Sequence, residues 1–104
     1  PAQGGRHGAP VDVDALQLWL RLVAQLDGER LLRVKAIARC AATGHDFVLQ
    51  SAGRSVSPPQ RLAAARPGAF GAEVVLIERG LPDAARRHLL ATLGAALAGT
   101  AWSA

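Results

Sequence analysis

At 104 residues and a net charge of +4, the chain has room for one domain with a proper hydrophobic core, and not for two. Half of it is apolar but aromatics number only two Trp and two Phe, so the core must be largely aliphatic. One cysteine excludes an internal disulfide and fits a reducing compartment, no apolar run nears the roughly 20 residues of a membrane span, and no secretory signal opens the chain.

A cytoplasmic protein with no membrane partner is therefore expected. The chain starts at Pro1 and contains no Met, so an upstream part is expected, and any function read here belongs to part of a larger protein. The positive charge is arginine's; Lys35 is the only lysine.

Residues 1–10 hold two Pro and three Gly and read as a flexible linker. Order is expected from Val11, with Asp12 or Asp14 capping a helix whose exposed N–H groups favour a carboxylate. Leu16, Trp19, Leu20, Val23 and Leu26 then recur at helical spacing, with Leu18 and Leu22 widening the stripe. Asp27-Gly28 ends this helix, the glycine offering a left-handed C-terminus.

Leu31–Cys40 switches to period two. Val34, Ala36, Ala38 and Cys40 share one face; Arg33, Lys35, Ile37 and Arg39 share the other, which predicts a strand with one basic side. Thr43-Gly44 predicts a hairpin turn into a second strand over Phe47–Ala52, with Asp46 decorating the turn. Arg54–Ser57 continues extended until Pro58-Pro59 stops it. Gln60–Ala72 is less informative: a helical turn over Arg61–Ala65, then loop.

Glu73–Ile77 is a continuous aliphatic run, expected in mid-sheet or buried on both faces. Gly80-Leu81-Pro82-Asp83 opens a second helix, whose apolar side is Ala85, Leu89, Leu93, Ala96 and Leu97. Gly99 ends it, and residues 99–104 read as a tail. The order predicts a single α+β domain over residues 11–98, in two layers: a mainly antiparallel sheet with both amphipathic helices on one face.

Known chemistries find little purchase. The single lysine lies inside a predicted strand, so there is no P-loop, and no GxGxxG is present. Cys40, His7, His45 and His88 sit on different elements, so no metal-ligand set forms, and Cys40 is expected to fill core space. Ser51, Ser55 and Ser57 lack a nucleophile elbow. Neither catalysis nor cofactor binding is expected of this chain.

The unusual feature is the basic strand face. Arg33, Lys35 and Arg39 can be a solvated surface or an interaction face for an acidic partner. An alternative function is a small nucleic-acid-binding domain using Arg33, Lys35, Arg39 and Arg54, which predicts strongly salt-dependent binding.

In order and spacing, several pieces together resemble the C-terminal domain of the CobW family of GTP-dependent metal chaperones. These are Trp19–Leu26, Leu32-Arg33-Val34-Lys35-Ala36, Phe47-Val48-Leu49-Gln50, Val74-Val75-Leu76-Ile77-Glu78 and Leu81-Pro82-Asp83. Ala36 and Glu78 stand where the family carries glycine, and the Trp often found before the late strand is absent from Gln60–Ala72.

The resemblance implies that GTP and a divalent metal such as zinc or cobalt are handled by an N-terminal GTPase domain carrying the P-loop and a Cys-x-Cys-Cys motif. It implies that this domain supplies an interface to that GTPase domain and to a client metalloprotein or metal-insertion complex. Arg33, Lys35 and Gln50 match the family's motif positions, which implies a structural or interdomain role for them; with Arg39, which joins them through the strand pattern, they form the candidate interface. Arg6-His7 resembles the end of a His-rich linker. Separated from its GTPase domain, a bare sheet face or edge would favour homodimers of the chain.

Overall fold

Asp12 fixes where the first helix begins. Its Oδ1 accepts from the backbone N–H of Asp14 at 2.9 Å and of Ala15 at 3.1 Å, satisfying two of the donors that a helix start leaves free. The computed structural model describes residues 2–64, 66 and 71–98. In chain order the elements are β1 (Ala2–His7), α1 (Val13–Asp27), β2 (Leu31–Arg39), β3 (Asp46–Ala52), β4 (Ser55–Val56), β5 (Gln60–Arg61), β6 (Ala72–Glu78) and α2 (Asp83–Leu97).

The strands form one antiparallel sheet in the order β1-β6-β2-β3-β4, with β5 pairing to the same edge of β3 as β4. Both helices cover one face, the two-layer α+β arrangement that the sequence predicts. Alternation explains the floor of the core: Val34, Ala36 and Ala38 of β2, Leu49 of β3, and Ala72, Val74 and Leu76 of β6 are buried. Leu16, Trp19, Leu20 and Val23 of α1 and Leu89, Leu93 and Ala96 of α2 close over it. Each large aliphatic side chain so enclosed contributes roughly 1.5–3 kcal/mol. The Nε1–H of Trp19 donates to Thr92 Oγ1 at 3.0 Å, so its indole fills the core without an orphaned donor while tying the helices together.

Several expectations need correction. The stretch 1–10 was expected as linker, yet Ala2–His7 forms the edge strand β1, in register from Ala2 opposite Ile77 to His7 opposite Ala72. The unpaired edge of β6 satisfies this backbone, so a segment without large apolar residues is ordered by main-chain pairing. Gly28 is right-handed (φ −59°), not left-handed. It is glycine because a Cβ there would collide with the Ala24 carbonyl oxygen and the Arg54 side chain.

Glu73–Ile77 does lie mid-sheet, between β1 and β2, but Val75 and Ile77 stay exposed, so β6 is buried on one face only. Leu26 is 75% exposed and belongs to no core stripe. Over Gln60–Ala72 the described residues hold the short strand β5 in place of a helical turn. Ala65 and residues 67–70, together with the tail 99–104 and its Gly99, lie outside the described residues.

Candidate functional site

The sheet face turned away from the helices carries the residues singled out in the sequence. Register places them in rows across three strands. Ile77, Arg33 and Ala52 form one row; Val75, Lys35 and Gln50 the next; Glu73, Ile37 and Val48 the third. A register shift between Leu31 and Arg33 lets Leu31 and Val34 both reach the core and sets the phase that turns Arg33 and Lys35 outward. Successive same-face residues on a strand lie roughly 7 Å apart, so Arg33 and Lys35 form a compact dication.

Both cations are exposed, and among the described residues neither has an ion-pair partner. Val75 and Ile77, at 41% and 39% exposure, flank them on β6, while Ile37 and Val48 are half-buried. Gln50 is exposed opposite Lys35. The result is a mixed apolar and cationic patch, with Glu73 in its third row. Chemically it can bind an apolar surface bearing carboxylates.

Arg39 shares this face but not this environment. Its Nε donates to Asp46 Oδ1 at 3.1 Å and its Nη2 to Oδ2 at 3.2 Å. Arg66 grips the same carboxylate, with its backbone N at 2.9 Å and its Nε at 3.1 Å from Oδ2. Asp46 is therefore a buried acid between two guanidiniums, not a turn decoration. Arg66 first, then Arg39, holds its carboxyl far below the usual carboxylate range, against the opposing effect of burial.

The reason lies in topology. β3 and β6 flank β2 on opposite sides, so the chain joining them must pass the end of β2. There Leu62 N donates to the Asp46 carbonyl at 2.8 Å, and Arg39 N donates to the Gly71 carbonyl at 2.6 Å. The Arg39–Asp46–Arg66 cluster fastens that crossing. Of the four residues proposed for an interface, the structure keeps Arg33, Lys35 and Gln50 together in the open and assigns Arg39 to support. Sequence spacing missed Asp46 and Arg66; the register of the hairpin, with Arg39 opposite Asp46, was the one available signal.

The nucleic-acid set divides in the same way. Arg39 is engaged as described, and Arg54 bonds Glu29 at 3.4 Å, which leaves Arg33 and Lys35. At the far end of the sheet Arg86 bonds Glu78 at 3.0 Å and Asp83 at 2.6 Å, tying the first turn of α2 to β6.

Cys40 was expected inside the core. It packs against the core's margin but also lines a cavity of about 720 Å³ with Val13, Thr43, Phe47 and Pro59 at the start of α1. Val11 forms an isolated parallel bridge with it, its N–H donating to the Arg39 carbonyl and its carbonyl accepting from Ala41 N. The adjacent Thr43 side chain draws the thiol below its ordinary range, against a smaller opposing effect of burial. His45 is exposed. Among the described residues no three His, Cys, Asp or Glu side chains are grouped to hold a metal ion, and no helix is long and apolar enough to cross a membrane.

Comparison with solved structures finds the same fold in the Zn(II)-bound YjiA GTPase from E. coli and in a Zn(II)-bound triple mutant of YjiA. Each aligns with a TM-score of 0.70 at 18% identity, covering 88% of this chain and 29% of the other. This chain thus spans less than a third of the length of those structures. No curated protein matches the sequence significantly. Residues 5–97 match the family described as "Cobalamin synthesis protein cobW C-terminal domain", which begins inside β1 and runs to the end of α2. The chain belongs to the cobW C-terminal domain family.

Proposed function

We propose that this chain is the accessory C-terminal domain of a cobW-type, GTP-dependent metal chaperone of the cytoplasm. On this reading it performs no catalysis; GTP hydrolysis and the handling of a divalent metal such as zinc or cobalt belong to an N-terminal GTPase domain of the same polypeptide. The domain's task is to dock on that GTPase domain and help present it to a client metalloprotein or metal-insertion complex. The observation that carries the reading is the open sheet face, where Arg33 and Lys35, without an ion-pair partner among the described residues, stand beside exposed Val75 and Ile77. Two neighbouring cations flanked by exposed aliphatic side chains suit a partner surface that is apolar and bears carboxylates. Family membership and the greater length of the YjiA structures support the presence of such a partner domain.

The test is calorimetric titration of this chain into the separately produced N-terminal domain. The double variant Arg33→Glu/Lys35→Glu is expected to weaken binding by about tenfold or more at low salt, since it sets like charges face to face. Its circular dichroism and melting should match wild type, because both side chains are exposed. Unchanged affinity would refute the assignment of this face.

A further inference from the structure

The helical side of the molecule carries a second apolar feature that the core does not use. Leu18, Leu22 and Leu26 of α1 recur every fourth residue and are 45%, 40% and 75% exposed, so they stand as one ridge along the helix. Four residues before Leu18 lies Asp14, and four residues after Leu26 lies Arg30. Both are exposed, and among the described residues neither has an ion-pair partner. Arg30 follows the helix in a turn, its N–H donating to the Asp27 carbonyl at 2.9 Å, and shares a surface depression with Leu26. The ridge of three leucines therefore has an acid, Asp14, beside its first member and a base, Arg30, in the turn beyond its last, where Asp27, Glu29 and Arg54 line the same depression. Beside it runs a groove of about 140 Å³ between the helices, lined in part by Trp19, Leu22, Leu26, His88 and Thr92.

We propose that this ridge is a self-association surface, pairing antiparallel with the same ridge of a second copy across a twofold axis at Leu22. A twofold axis makes every contact occur twice with the roles exchanged. With the axis at Leu22, Leu18 meets Leu26 of the second copy, Leu22 meets its equivalent, and Asp14 meets Arg30 of the second copy at both ends. With an acid at one end of the ridge and a base at the other, the two copies set opposite charges together only when the helices run in opposite directions. A parallel pairing would set Asp14 against Asp14 and Arg30 against Arg30. Antiparallel helix dipoles favour the same choice. A ridge of three leucines falls at the small end of specific interfaces, so the dimer is concentration-dependent.

Sedimentation velocity on this chain from about 10 μM to about 1 mM spans the affinities such a patch can reach. A monomer–dimer equilibrium is expected. Leu22→Glu should weaken it at least about a hundredfold by placing two carboxylates on the axis. Asp14→Arg alone and Arg30→Asp alone should each weaken it by about tenfold, and the two together should restore it to within about threefold of wild type. Arg33→Glu/Lys35→Glu should leave it unchanged, which separates this surface from the docking face proposed above. A wild-type chain that stays monomeric throughout, or a double reversal as weak as the single ones, overturns the proposal.

Discussion

On the open side of β2, Arg33 and Lys35 stand in solvent between apolar neighbours, whereas Arg39, four residues beyond Lys35 on the same face, is folded against Asp46. Strand, face and charge are shared; what differs is what lies beside each. At the Arg39 end the connection from β3 to β6 passes the end of the strand, brings Arg66 with it and shuts out water around one carboxylate. At the Arg33 end nothing among the described residues crosses. One basic stripe is thereby divided into a part that holds the fold and a part left available for binding. Period two settles which side a residue faces, while topology decides whether that side is enclosed.

The contrast can be broken by truncation. Asp46→Ala leaves two partly buried guanidiniums without their counterion and should cost about 3 kcal/mol in urea unfolding, the largest loss of the series. Arg39→Ala should cost less, roughly 1–2 kcal/mol, since Arg66 still neutralises the acid. Lys35→Ala and Arg33→Ala should stay within about 0.5 kcal/mol of wild type. If Arg39→Ala proved as mild as Lys35→Ala, the division of the stripe would be wrong.

Acid sharpens the same contrast. The folded-state pKa of Asp46 is depressed, so below the ordinary carboxylate range the unfolded chain binds a proton that the folded chain refuses, and stability rises with pH. Its contribution is complete at neutral pH and is lost as pH falls from about 4 toward the depressed value. The stability gap between wild type and Asp46→Asn should therefore be widest at pH 7 and shrink in acid. A gap independent of pH would mean that the carboxylate is not held by charge.

Much of the architecture was legible because it rests on local pattern. Leu16, Trp19, Leu20 and Val23 announce the buried side of α1, and the alternation from Arg33 to Arg39 announces β2 and both of its faces. What escaped was set by pairing between distant segments. β1 carries no large apolar residue; it is a strand because β6 offers it hydrogen bonds. Asp46 and Arg66 are 20 residues apart and meet only through the connection past the end of β2. Leu18, Leu22 and Leu26 satisfy helical spacing as well as the core residues do, and only the placement of the sheet shows that they lie outside the core. Of the residues proposed for an interface, Arg33, Lys35 and Gln50 were visible as a pattern, but Arg39 could not be set apart from them without the fold.

Lys35 offers the most direct measurement, because it is the only lysine in the chain. Amine-directed labelling followed by peptide mass spectrometry reads the exposure of the open face at a single position. In the isolated chain Lys35 should be modified readily, as its exposed position demands. In the proposed longer protein, joined to a GTPase domain, the same lysine should be shielded, with labelling slowed by at least about tenfold. Equal labelling in both would place the sheet face in solvent and contradict the docking account.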